Sequence, residues 1–184
     1  AAVERLLQQI ATLVDEGQDI PPSLVATVAA YRPLYEFAWA QELCEHEWID
    51  NIKEVITRQI LEPQEELSLH SQIPQLTSIK NAVSESVRQQ YEKNPYPRWV
   101  KPGLDGTGGA IGAILRKAPL RLDLGNYESP ENPEILVAGC GTGQHALVTA
   151  SRFSNARVLA VDLSLSSLSY AMRKTNELSF ANIE

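Results

Sequence analysis

Gly139-Cys140-Gly141-Thr142-Gly143 places a glycine at every second position of a five-residue stretch, and its surroundings constrain the fold more than any other feature. The run before it, Ile135-Leu136-Val137-Ala138, is short and wholly apolar, the pattern of a parallel strand buried on both faces. A helical segment follows from about Gln144 to Arg152. Arg157 to Val161 reads as a second strand that ends on Asp162. Ser164 suits the N-cap of a further helix running through Leu165, Leu168, Ala171 and Met172 to about Leu178. Strand, helix, strand, helix within some fifty residues predicts a βαβα unit with the usual right-handed crossover. In such sheets ligands bind where strands end and helices begin. Glycines there let the chain turn tightly and let a ligand lie directly on the backbone. The free N–H groups of the next helix favour a carboxylate or phosphate. Asp162, 23 residues beyond Gly139, is expected at the tip of the neighbouring strand, both carboxylate oxygens free for a ribose diol.

The dinucleotide fingerprint Gly-x-Gly-x-x-Gly would put its third glycine at position 144, which is Gln144; the pattern here is Gly-x-Gly-x-Gly. With Val161-Asp162-Leu163-Ser164 and a helix carrying Arg173-Lys174, the stretch 139–144 resembles the class I S-adenosylmethionine-dependent methyltransferases. That resemblance implies a Rossmann-like α/β fold and S-adenosylmethionine as cofactor. The glycines would pass under its methionine moiety, and the acid would hold its ribose hydroxyls. The implied cofactor-binding set is Gly139, Cys140, Gly141, Thr142, Gly143, Gln144, Asp162 and Leu163, with Tyr96 and Arg98 reaching in from outside the unit. One departure stands out. Many class I enzymes carry an acid two residues before the first glycine; here Val137 removes that hydrogen-bonding support of the loop or the ligand amine.

A narrower resemblance covers about residues 62–184. Gln90-Tyr91-Glu92-Lys93-Asn94-Pro95-Tyr96-Pro97-Arg98-Trp99, preceded by Ile73-Pro74-Gln75-Leu76 and Ala82-Val83, is similar to bacterial methyltransferases often fused to tetratricopeptide repeats. No repeat of that period occurs in this chain. The Asn94–Trp99 string admits two readings. Tyr96 and Trp99 plug the seam between helical and Rossmann-like parts, or Tyr91, Tyr96 and Arg98 form a lid over the cofactor pocket. An aromatic face and a guanidinium both suit a sulfonium ligand bearing a carboxylate.

Ahead of this lie helical patterns. Val3, Leu6, Leu7, Ile10, Leu13 and Val14 recur at three- and four-residue steps up to Gly17. A second stretch opens at Pro21-Pro22-Ser23, is interrupted at Pro33 and resumes to about Leu43. Trp48, Ile49, Ile52, Val55, Ile56 and Ile60 make a third apolar face, ended by Pro63. A fourth helix is expected from Thr77-Ser78, stacking Ile79, Val83 and Val87 until Asn94-Pro95-Tyr96-Pro97 stops it. Three parts follow: an α-helical region, 1–100; a connector, 101–133; and the N-terminal part of a Rossmann-like domain, 134–184. The connector glycines Gly103, Gly106, Gly108, Gly109 and Gly112 have no Gly-Lys-Ser/Thr ending and no strand before them, so they read as connector or short helix.

The charge excludes some roles. Residues 1–90 hold 6 Lys/Arg against 14 Asp/Glu, the opposite of the basic stripe that neutralises phosphates, which disfavours direct nucleic-acid binding. No apolar run nears the ~18 to 20 residues of a membrane span. Two cysteines, Cys44 and Cys140, form no disulfide framework, so a reducing cytoplasm is expected. Cys140 reads as a packing residue rather than a nucleophile. Cys44, His46 and Asp50 share a helical face that reads as solvated, and the three histidines lack metal spacing. The chain is expected to have been cut from a longer one and to end at the start of a third strand, Asn182-Ile183-Glu184. In class I enzymes acceptor and base residues usually come from later loops, so no catalytic residue or methyl acceptor is named. The piece by itself is expected to be inactive and to self-associate through an unpaired strand edge. Two other classes stay open: a nicotinamide-dependent oxidoreductase fragment and a noncatalytic helical interaction module.

Overall fold

A computed structural model describes residues 2–104, 108–117, 119, 121–123 and 125–184. The chain divides into two compact units, Ala1–Ser68 and Leu69–Glu184. The helical region expected over 1–100 therefore spans the division, and its last helix folds with the second unit. Gly106 of the connector lies outside the described residues.

The first unit is helical. Helix α1 (Ala2–Asp15) buries Leu7 and Ile10, and α2 (Pro22–Ala29) starts with Pro22 in its first turn, where a missing N–H costs nothing. A 3-10 turn at Leu34–Glu36 follows Pro33, and α3 spans Ala40–Glu45. Helix α4 (Asp50–Ile56) does not stop at Pro63 as its sequence suggests. It continues through a π turn, Thr57–Leu61, into α5 (Glu62–Leu69). The wider turn shifts the hydrogen-bond ladder, with the Glu62 N–H donating to the Thr57 carbonyl. Proline then falls in the opening turn of α5, where it is tolerated. Ile10, Val25, Val28, Leu34, Leu43 and Ile60 are fully buried in this unit's core. Of the third apolar face, Ile52, Ile56 and Ile60 are buried, while Ile49 is exposed.

In the second unit α6 (Ala82–Lys93) begins later than the sequence suggests. Its N-cap is Asn81, whose carboxamide oxygen accepts from the N–H groups of Val83 and Ser84. Ile79 is thus outside the helix. Val83 and Val87 are exposed rather than stacked in a core, because α6 offers only polar and partly covered residues to α9. A short helix, α7 (Ile111–Lys117), lies in the connector.

The Rossmann-like part follows the expected order. Strand β1 (Glu134–Ala138), helix α8 (Gln144–Arg152), strand β2 (Arg157–Val161) and helix α9 (Leu165–Glu177) form a βαβα unit. The strands are parallel and register Glu134 with Arg157 through Ala138 with Val161. Beyond β2 the chain returns to pair Ile183 with Val158 in parallel. One sheet face is packed, with Val137, Val158, Ala146 and Ala150 in a core that Ile135, Phe180 and Ile183 flank. The opposite face carries Leu136 and Leu159, directly paired and 61% and 43% exposed. Ser164 caps α9 as expected, its hydroxyl accepting from the Ser167 N–H.

Candidate functional site

The glycine turn starts where β1 ends, held to the neighbouring strand by the Gly139 and Cys140 N–H groups, which both donate to the Val161 carbonyl. All three glycines have positive φ: +71° at Gly139, +54° at Gly141 and +81° at Gly143. The reason differs along the turn. A Cβ on Gly143 would lie 2.6 Å from the Ala171 Cβ, so this glycine lets α8 start hard against α9. Among the described residues, a Cβ on Gly139 would meet nothing within 4 Å, and one on Gly141 only the Tyr96 carbonyl at 3.9 Å. Those two glycines form an open floor.

Asp162 borders that floor, but its carboxylate is not free as the sequence suggests. Oδ2 accepts from the Gly141 N–H at 2.8 Å and Oδ1 from the Ser164 N–H at 2.9 Å. The side chain ties the glycine turn to the start of α9. Each oxygen keeps a second acceptor direction. Cys140 is buried, and its thiol is pushed up to about 12, first by loss of hydration and then by the nearby Asp162 charge. It stays protonated at neutral pH, as suits a packing residue rather than a nucleophile.

The structure brings Asn94–Val100 onto the outer side of the turn. Thr142 is buried and makes two reciprocal bonds with this strap. Its hydroxyl donates to the Pro97 carbonyl at 2.6 Å, and its own carbonyl accepts from the Trp99 indole N–H at 3.0 Å. Trp99 is buried with Leu147 and Tyr170, meeting the Tyr170 ring edge-on. The Tyr170 hydroxyl donates to the Trp99 carbonyl, and the Lys174 ammonium donates to the Val100 carbonyl at 3.1 Å. Arg98 lies over the Tyr170 ring, 4.6 Å from its centroid. Glu92 accepts from the Ser166 N–H in the first turn of α9. Trp99 therefore plugs an interior gap, whereas Tyr96 does not: it is 74% exposed.

Of the residues implied as cofactor contacts, Gly139, Gly141 and Asp162 surround the open floor. Gly143 and Cys140 serve packing, and Thr142 turns its side chain to the strap. Gln144 opens α8, and Leu163 is 43% exposed just past Asp162. Tyr170 was not singled out from sequence, and Lys174 only as part of the basic pair on its helix; their spacing of four residues hinted that they share a face. No group of three or more metal-ligating side chains occurs among the described residues, and no described helix is long and apolar enough to cross a membrane.

Comparison with known proteins falls on the same segment. Residues 135–184 match the model of a methyltransferase domain family. Among solved structures, the chain is similar to coclaurine N-methyltransferase bound to N-methylheliamine and SAH, at 19% identity and a TM-score of 0.36. That match covers all of this chain and 50% of the other, so the chain spans about half its length. No curated protein matches. The order βαβα with a glycine turn after β1 is that of a Rossmann-like methyltransferase fold, preceded here by helices.

Proposed function

We propose that this chain is the cofactor-binding front of a class I S-adenosylmethionine-dependent methyltransferase. The observation that carries the reading is the open backbone floor at Gly139 and Gly141, bordered by the Asp162 carboxylate, inside the segment that matches the methyltransferase domain. The residues fit the group. A floor without side chains suits the amino-acid end of the ligand, and Asp162 has acceptor capacity left for ribose hydroxyls. Gln144 at α8 and Leu163 after Asp162 complete the set, with Tyr96 and Arg98 contributed by the strap. When bound, the sulfonium supplies an already activated methyl group. What the chain's own residues do is bind and orient, the main need of an in-line transfer. The Cys140 thiol takes no part.

The strap motif supports placing the protein in the bacterial, tetratricopeptide-associated subgroup, and two free cysteines, Cys44 and Cys140, support a reducing cytoplasm. In this reading 1–100 is a helical region, 101–133 a connector and 134–184 the start of the catalytic domain. The methyl acceptor comes from outside these residues' chemistry.

Calorimetry on the whole protein tests the proposal. Binding of S-adenosylmethionine and S-adenosylhomocysteine, with NAD much weaker, is the expected result. NAD binding without sulfonium-ligand binding would overturn it in favour of an oxidoreductase. Mass spectrometry of extract incubated with labelled cofactor would then identify the acceptor.

A further inference from the structure

We infer that the Tyr96 main-chain carbonyl, held over Gly141 by the Thr142–Trp99–Pro97 clasp, is an acceptor for the α-ammonium group of the bound cofactor. The inference rests on the proposed function and goes beyond it, since neither glycine turn nor Asp162 requires the strap.

Three observations converge. First, among the described residues the Tyr96 oxygen lies 3.9 Å from where a Cβ on Gly141 would stand. A carbonyl at the wall of an open floor presents lone pairs to whatever lies there. Among the described residues that oxygen accepts no hydrogen bond. Tyr96 is 74% exposed, so water reaches that oxygen in the free protein, and a ligand donor lying on the floor would take the water's place. Second, the position is fixed rather than incidental. Thr142 both donates to Pro97 and accepts from Trp99, so the residues on either side of Arg98 are tied to the middle of the glycine turn. The Tyr170 hydroxyl and the Lys174 ammonium hold the next two carbonyls, Trp99 and Val100. A segment bound at successive points cannot slide, so the Tyr96 carbonyl keeps its place before any ligand arrives. Third, Val137 occupies β1 where a carboxylate would offer a negative acceptor, and it is buried in the apolar core. The ligand's amino group carries a full positive charge and needs acceptors when it leaves water. The Asp162 carboxylate borders the floor through its bond to the Gly141 N–H, and the strap adds a carbonyl beside the same glycine.

The same geometry explains why the strap is built of short polar links. A hydroxyl at position 142 reaches Pro97 without filling the floor, because the side chain points to the outer side of the turn and is 1% exposed. Replacing it by a methyl leaves the fold's apolar contacts and removes one tether.

The test compares two ligands on the whole protein by calorimetry: S-adenosylhomocysteine and its desamino analogue, which lacks only the α-amino group. Wild type is expected to favour the parent ligand roughly tenfold or more, the worth of one charge-assisted hydrogen bond. In Thr142→Val and Trp99→Phe that preference shrinks several-fold, on the order of a partly lost bond. Thr142→Ser, which keeps the hydroxyl, restores it. Asp162→Ala weakens both ligands alike and leaves the preference intact. Circular dichroism melts identify any variant that unfolds, and Thr142→Ser then carries the comparison with Trp99→Phe. An undiminished amine preference in folded Thr142→Val and Trp99→Phe would overturn the inference while leaving the proposed function standing. Wild-type protein that binds neither ligand would overturn both.

Discussion

Gly139 and Gly143 both have positive φ, +71° and +81°, and opposite consequences when substituted. Either Cβ must adopt a left-handed conformation, at a cost of about 1–2 kcal/mol. In Gly143→Ala the added carbon also meets the Ala171 Cβ at 2.6 Å, so the variant should lose considerably more stability than Gly139→Ala. In Gly139→Ala the added carbon meets none of the described residues within 4 Å, and the loss should show in ligand affinity instead. Thermal melts paired with S-adenosylhomocysteine titrations separate the two. Asp162→Ala should weaken cofactor binding by roughly 1–3 kcal/mol through lost charge-assisted hydrogen bonds. It should also lower the melting temperature, because Oδ1 and Oδ2 hold the Ser164 and Gly141 N–H groups. Affinity loss without any melting change would mean those backbone bonds contribute nothing. Cys140 gives a pH signature. Its folded pKa is raised to about 12 from 9.0. Its contribution is therefore full below pH 9 and declines as pH rises toward 12, because the unfolded thiol ionises first. Urea midpoints at pH 8 and pH 10.5 should fall more for wild type than for Cys140→Ala.

At the scale of elements, α9 is the anchor of the site. Its N-terminus is capped by Ser164, whose hydroxyl accepts from Ser167, and its opening turn receives Glu92 from α6. Its middle supplies Ala171 against Gly143, and its flank supplies Tyr170 and Lys174 to the strap. Ser164→Ala should cost about 1 kcal/mol of stability, the usual worth of such a cap. The loss is readable as a lower urea midpoint. The βαβα order, both strands and the Ser164 cap were legible because apolar runs, glycines and a capping residue carry local signals. The end of α4 was not: Pro63 looks terminal unless the ladder has already shifted through a π turn. The start of α6 at Asn81 was missed for a related reason, since several serine, threonine and asparagine residues in 77–84 qualify as caps. Only the apolar spacing argued for the earlier start, and Val83 and Val87 prove exposed. Lys174, basic and near a helix end, carries no local signal of burial; it is buried where its ammonium donates to the carbonyl of Val100, 74 residues away.

For the whole molecule, the exposed pair Leu136 and Leu159 governs solution behaviour. They sit side by side on an uncovered sheet face. Apolar surface of that kind drives association, and among the described residues no strand pairs with the far edge of β1. Residues 1–184 alone should therefore show concentration-dependent self-association by sedimentation. Replacing both leucines with glutamine should reduce it without a large stability loss, since neither is buried. A monomer at high concentration would show that the face is tolerated as it stands. Sequence by itself determined the βαβα unit and the glycine turn after its first strand, because apolar runs, glycines and a capping residue are local patterns with one geometric outcome. Which glycine faces open space, which faces a helix, that Asp162 Oδ2 is already engaged by Gly141, and that Thr142 clasps Trp99 and Pro97 were decided by tertiary structure alone. Those facts depend on residues more than twenty positions apart meeting at hydrogen-bond distance, and no local pattern encodes such a meeting.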